Sequence, residues 1–328
     1  PGLDRLLRQC SGVLAPQSSD ADAQDLADAA WALAKAGVQD SGMLEAIAQA
    51  SIARVEDFST EQLSKLAWAF AVLGKSDADL LRALAAEAVL RRRDLSGQSL
   101  ANLAWAYATL LVADSGLLRA IGGEVARRAR ELNSQELANV AWAFATLGAN
   151  DLKVLQAIAS EATKCAHRFN PQELANIAWA FSNLGFANKQ FFHAIAEQAC
   201  RKVQRFKPQE LSSLAWAFAN AGIDNTNLLE QVTVEVLFKS KDCEPQHLTN
   251  VAWSLAKLAV KDAILARQIT EEALAQVRRC LPQHLSNLAW ASAKLRTDSA
   301  EAVVRSVAAE ARRRPGELSP LHVGNLLW

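Results

Sequence analysis

Tryptophan recurs along this chain at one interval. Trp31, Trp68, Trp105, Trp142, Trp179, Trp216, Trp253, Trp290 and Trp328 are spaced 37 residues apart, with a last step of 38. The side chains around each Trp repeat as well. Seven residues before it stands Gln in seven of nine units: Gln24, Gln98, Gln135, Gln172, Gln209, Gln246 and Gln283. Three before it stands Asn in six: Asn102, Asn139, Asn176, Asn250, Asn287 and Asn325. Four after it the residue varies, through Lys35, Val72, Thr109, Thr146, Asn183, Asn220, Lys257 and Lys294. A near-constant amide row beside a varying polar row has the chemistry of a modular reader, as in helical repeats that take one base each: constant groups hold a repeating backbone while varying groups discriminate. The indoles offer surfaces on which bases could stack. The same rows also have a purely structural reading. Asn can bridge stacked helices, Gln near a helix start can cap it, and a Trp in constant register can pack between repeats.

A second row is cationic. Residues 22–26 after each Trp include Arg54; Arg91, Arg92 and Arg93; Arg127, Arg128 and Arg130; Lys164 and Arg168; Arg201, Lys202 and Arg205; Lys239 and Lys241; Arg278 and Arg279; and Arg312, Arg313 and Arg314. Stacking of the units would align them into a stripe able to track phosphates. The alternative is helix electrostatics: cations favour a helix C-terminus, and Glu87, Glu124, Glu161, Glu197 and Glu235 lie three to four residues upstream as partners.

Catalytic or metal-binding constellations are missing from the sequence. His247, His284 and His322 share one position in consecutive units, but stacked repeats sit about 10 Å apart, too far for joint ligation at about 2 Å. They stand where other units carry a capping Glu. The five cysteines, Cys10, Cys165, Cys200, Cys243 and Cys280, form no CxxC pair and suit a reducing compartment. Cys243 and Cys280 stand where other units place an apolar Phe or Leu. No cofactor, catalytic residue or small-molecule substrate is expected, and the chain is read as a binding protein without enzymatic activity.

The elements that must position these rows are helices. Residues 169–185, FNPQELANIAWAFSNLG, give the pattern of a first helix, A. Asn170 is its N-cap, Pro171 opens the first turn, and Glu173 completes a capping box. Phe169 with Leu174 forms a hydrophobic staple, repeated in Phe58/Leu63, Leu95/Leu100, Leu132/Leu137 and Phe206/Leu211. Gly37, Gly74, Gly148, Gly185 and Gly222 end this helix in five units. Nine residues after each Trp comes a second cap, at Asp40, Asp77, Asp114, Asp151, Asn188, Asn225, Asp262 and Ser299, opening helix B. At about 100° per residue, Leu174, Ile177 and Phe181 fall on one core face of helix A. The positions beside the Trp are Ala or Ser, which lets neighbouring helices approach. A two-helix unit cannot bury such faces alone and must stack.

The fold expected is therefore all-α, a right-handed α-solenoid of 37-residue helix-turn-helix repeats over residues 1–328. Residues 1–21 are read as the end of a preceding repeat, 22–318 as eight repeats and 319–328 as the start of a ninth, a fragment of a longer array. Leu6 and Leu7 fit the apolar pair of an earlier helix B. Lys+Arg and Asp+Glu are each 35, which argues against nucleic-acid binding by bulk charge alone and leaves the arrangement of the charges open. No apolar run reaches the length of a membrane span.

The string LANIAWAFSNLG at 174–185, with LANVAWAFATLG at 137–148, resembles the helical repeats of the heptatricopeptide and octotricopeptide families, and is similar to the leucine-rich repeats of FAST-kinase-like proteins. The 37-residue period is nearest the heptatricopeptide class. The resemblance implies an organellar single-stranded RNA-binding protein, in mitochondrion or plastid, acting in RNA processing, stability, translation or ribosome assembly. Members often end in a nuclease-like RAP domain, which is not expected here because the repeat continues past residue 290. The candidate RNA contacts are Asn102, Asn139, Asn176, Asn250, Asn287 and Asn325, with Lys35, Thr109, Thr146, Asn183, Asn220, Lys257 and Lys294, and Arg91, Arg92, Arg128, Arg201, Lys202 and Arg278 from the basic row. The competing expectation is a protein-binding scaffold subunit of a large organellar complex. An Asn row can hold an extended peptide as readily as RNA, and salt dependence separates the two.

Overall fold

A computed structural model describes residues 21–317, together with 319, 320 and 324. The readings placed on Leu6, Leu7, Cys10, His322, Asn325 and Trp328 lie outside the described residues. Within them the chain forms sixteen α-helices and no strand, an all-α solenoid of helix pairs. The A helices are α1 (Ala23–Ala36), α3 (Thr60–Val72), α5 (Gly97–Thr109), α7 (Ser134–Thr146), α9 (Pro171–Asn183), α11 (Pro208–Ala221), α13 (Pro245–Lys257) and α15 (Pro282–Leu295). The B helices are α2 (Ser41–Ala53), α4 (Ala78–Leu90), α6 (Ser115–Arg128), α8 (Leu152–Cys165), α10 (Lys189–Lys202), α12 (Thr226–Phe238), α14 (Ala263–Ala275) and α16 (Ala300–Arg313). A short 3-10 turn follows each B helix, as at Arg92–Asp94 and Val203–Arg205. Packing divides the chain into two units, Pro1–Glu161 and Ala162–Trp328.

The helix starts have the expected chemistry. Asn170 Oδ1 accepts from the Glu173 N–H at 2.9 Å, and Glu173 Oε2 accepts from the Asn170 N–H at 2.9 Å. Where the cap residue has no such side chain, at Lys207, Glu244 and Leu281, a Pro follows at the first helical position. The residue three after the cap still reaches back: Glu210 to Lys207 N–H at 2.8 Å, His247 Nδ1 to Glu244 N–H at 3.1 Å, and His284 Nδ1 to Leu281 N–H at 3.2 Å. The two histidines thus take over the acceptor duty of the capping Glu. Helix B is capped through Asp40, Asp77, Asp114, Asp151, Asn188, Asn225 and Asp262. Ser299 departs from this expectation. Its backbone is already helical and its hydroxyl makes no cap bond, so the last B helix begins without one.

Every A helix of the eight ends on a left-handed residue six positions after its Trp. Glycine fills it in five units, at φ 65–70°. Leu111, Ala259 and Arg296 fill it in the other three, at φ 55°, 53° and 51°. The sharp turn into helix B imposes that conformation whatever the residue, although a side chain there costs about 1–2 kcal/mol.

Within each unit the core lies between the A and B rows. Leu174, Ile177 and Phe181 are wholly buried, as are their counterparts Leu63, Leu66 and Phe70, and the staple pairs are buried with them. Full burial of each such side chain contributes about 1.5–3 kcal/mol. In the first unit α1, α3, α5 and α7 pack in series, and in the second α9, α11, α13 and α15 do the same. These contacts are closer than those along the B rows α2–α4–α6 and α10–α12–α14–α16. The buried Ala and Ser beside each Trp, such as Ala67, Ala69 and Ala71, permit that approach.

Candidate nucleic-acid interface

Helix periodicity sends the residues seven before, three before and four after each Trp to the side of helix A away from the core. The structure keeps them at the surface. The Gln row is exposed, the Asn row and most Trp rings are half-buried, and Trp31 is 41% exposed. Lys35, Thr109, Asn183, Asn220, Lys257 and Lys294 are exposed, and Thr146 is half-buried.

Hydrogen bonding separates the two readings of the amide row. Bridging would show as amide contacts from one A helix to the next. Among the described residues, the side chains of Asn102, Asn139, Asn176 and Asn250 make no hydrogen bond to the protein, nor do those of Gln98, Gln135, Gln172, Gln209 and Gln246. Asn287 is the exception in its row, accepting from Gln283 at 2.9 Å. Asn220, in the varying row, does cross between helices, donating to Ser182 O at 3.2 Å and Oγ at 2.9 Å. A half-buried amide with both its donors and its acceptor unused by the protein retains its full hydrogen-bonding capacity.

The indoles line the same strip. In the second unit Trp216 and Trp253 stack at 6.4 Å between centroids, and Trp253 and Trp290 lie at 6.2 Å. In the first unit cations occupy the rings. The Lys35 ammonium lies 5.5 Å from the Trp31 ring and 5.1 Å from that of Trp68, and Lys65 lies 5.2 Å from Trp31. Lys257 lies 5.9 Å from Trp253. Lys65 also pairs with Asp28 of the preceding repeat. That bond, with a second from Gln24, holds the Asp28 carboxyl below its ordinary range. Between these repeats runs a groove of about 750 Å³ lined by Trp31, Lys35, Glu61, Lys65, Trp68 and Asn102, among others. Sequence reasoning passed over Glu61 and Lys65 because they break the Gln and Asn rows.

The basic row divides in two. In seven repeats a long polar side chain at the end of helix B, 23 residues after the Trp in six and 24 in the last, folds back within its own repeat onto the carbonyl just before helix A. Arg54 donates to Ala21 O, Arg91 to Phe58 O and Arg128 to Leu95 O. Lys202 donates to Phe169 O at 2.6 Å and Lys239 to Phe206 O at 2.7 Å. Gln276 does the same to Cys243 O at 3.2 Å, and Arg314 to Cys280 O at 3.0 Å. Glutamates one turn back on helix B hold several of these cations: Glu87 meets Arg91 at 2.7 Å, Glu235 meets Lys239 at 2.8 Å, and Glu310 meets Arg314 at 3.1 Å. Burial pulls the Lys202 ammonium below its ordinary range. Arg91, Arg128 and Lys202 are thus clamps that close the repeat. Arg201 pairs with Glu197 at 2.6 Å at the surface. Arg92 and Arg278 stand exposed in the 3-10 turns.

The remaining polar chemistry is structural. Cys243 and Cys280 are buried, and burial pushes both thiols up to about 11. Among the described residues no cluster of His, Cys, Asp or Glu has the geometry to hold a metal ion, and no helix is long and apolar enough to cross a membrane.

No curated protein matches the chain. Residues 89–312, well over half of it, match the model of one protein family. The chain belongs to the RNA-editing substrate-binding complex 6 protein family.

Proposed function

We propose that this chain is a non-catalytic component of an RNA-editing substrate-binding complex that holds single-stranded RNA along the A-helix strip. One observation carries the reading: the unpaired side chains of Asn102, Asn139, Asn176 and Asn250 stand in one register beside half-exposed indoles. Amides can hold the sugar-phosphate backbone and base edges, and indoles can stack bases without regard to sequence. Family membership supports an RNA-related scaffold, and the resemblance to heptatricopeptide-type repeats supports an organellar one. Between mitochondrion and plastid, the family favours the mitochondrion.

The test is a titration of the whole chain against a randomised single-stranded RNA pool at two salt concentrations, beside an Asn139→Ala, Asn176→Ala, Asn250→Ala variant. Binding that weakens with salt and is lost in the variant supports the strip. No binding at low salt rejects it.

The clamps favour a second reading. With Arg91, Arg128, Lys202 and Lys239 occupied inside the repeat and a net charge of zero, fewer cations remain for phosphate than the row implied. A protein-holding scaffold in the same complex would use the amide strip for a peptide backbone, and its affinity would change little with salt.

A further inference from the structure

The groove of the first two repeats is chemically unlike the rest of the strip. Seven before the Trp, other described repeats carry Gln, which can both donate and accept; here stands Glu61, an acceptor only. Its natural partner on the helix is Lys65, one turn on. Lys65 instead crosses to Asp28 of the preceding repeat, and among the described residues the Glu61 carboxylate has no ion pair or hydrogen bond. The carboxylate, the indoles of Trp31 and Trp68 and the Lys35 ammonium line one groove of about 750 Å³, roomy enough for a nucleoside, which also reaches Gln98 and Asn102 of the amide strip.

We infer that this groove is a guanine-selective subsite for single-stranded RNA, with Glu61 as the residue that selects. The inference rests on the RNA reading of the strip. A carboxylate needs two donors side by side, and among the four bases only guanine offers them, as N1–H and the N2 amino group. Adenine and cytosine each set a ring nitrogen acceptor beside the amino group, and uracil flanks its single N–H with two carbonyls. Each would turn a lone pair toward Glu61. Trp68 supplies the stacking face. Lys35, on a flexible four-carbon stem, swings off the ring to meet guanine O6 or the neighbouring phosphate. It thereby offsets repulsion between Glu61 and the RNA backbone.

The experiment is selection of short RNAs from a randomised pool by the whole chain, followed by affinity measurements on the winner with guanosine, inosine or adenosine at the selected position. Wild type is expected to enrich guanine at one position and to favour it over adenine by roughly tenfold or more, the discrimination of one bidentate contact. Inosine, lacking the N2 amino group, falls between. Glu61→Gln restores the amide of the other repeats at an exposed site, so it keeps the fold, as a thermal melt would verify. It should erase the preference at that position by weakening guanine and strengthening the other bases, whose lone pairs then no longer face a carboxylate. RNA binding with no guanine enrichment, or enrichment that survives Glu61→Gln, overturns the subsite and leaves the RNA reading standing. No RNA binding at any salt overturns both.

Discussion

Two polar rows run along this molecule, one on the A helices and one at the ends of the B helices, and their side chains are used in opposite ways. The B-helix cations look like the obvious nucleic-acid surface, yet the innermost of them are bonded to carbonyls and glutamates of their own repeat. The A-helix amides look like structural filler, yet most have no protein partner. Charge alone is therefore a poor guide to a binding face. What counts is hydrogen-bonding capacity left over once the repeat has closed.

The sharpest way to break this contrast is to cut a clamp. Arg128→Ala removes the bond to Leu95 O and the longer of the two ion pairs of Glu124, which keeps Arg127 at 2.5 Å. It should cost about 2 kcal/mol, read as a lower urea midpoint, since the Leu95 carbonyl loses its partner inside the repeat. Arg92→Ala, next to the equivalent clamp Arg91 but exposed, should cost under about 0.5 kcal/mol. Equal losses would mean that the basic row is uniform after all.

A smaller effect of opposite sign is expected at the end of the A helices. Leu111→Gly and Ala259→Gly should each raise stability by about 1 kcal/mol, because they relieve left-handed strain at the price of some unfolded-state entropy. Gly148→Ala should lower it by a similar amount. Melting temperatures compare all three directly.

The smallest expected effect is titration of the two histidine caps. His247 and His284 are held below the ordinary 6.5 by burial, and each Nδ1 must be unprotonated to accept its cap bond. A depressed folded-state value means that the unfolded chain binds the proton first. The stabilisation is thus present above pH 6.5 and is lost as pH falls through the lower folded values. Urea midpoints should begin to drop as pH falls below about 6.5, and His247→Glu with His284→Glu should shift that loss to lower pH.

Much of this was legible in the sequence because each repeat writes its local rules out again. The Trp interval, helix starts such as Asn170 with Glu173, the glycines that end five A helices and the second row of caps are short-range signals, and between them they place the helices. The clamps were not legible because donor and acceptor lie 33 residues apart, so only folding reveals that Arg91 faces Phe58 O. Leu111, Ala259 and Arg296 hid the left-handed turn because nothing in those residue types asks for it. The amide strip could be placed on a helix face from spacing alone. Whether its amides were free could not, since Asn220 and Asn250 look alike in sequence and only the first finds a partner.

On the proposed function, the unpaired amides serve a ligand and not the fold. The measurement that tests it pairs stability with RNA affinity on the Asn139→Ala, Asn176→Ala, Asn250→Ala variant. Ala is the better helix former and no protein bond is lost, so the urea midpoint should hold or rise. RNA affinity should fall on the order of tenfold or more, at about 1 kcal/mol per lost bond. A variant that binds RNA as wild type does but unfolds at lower urea would contradict the account.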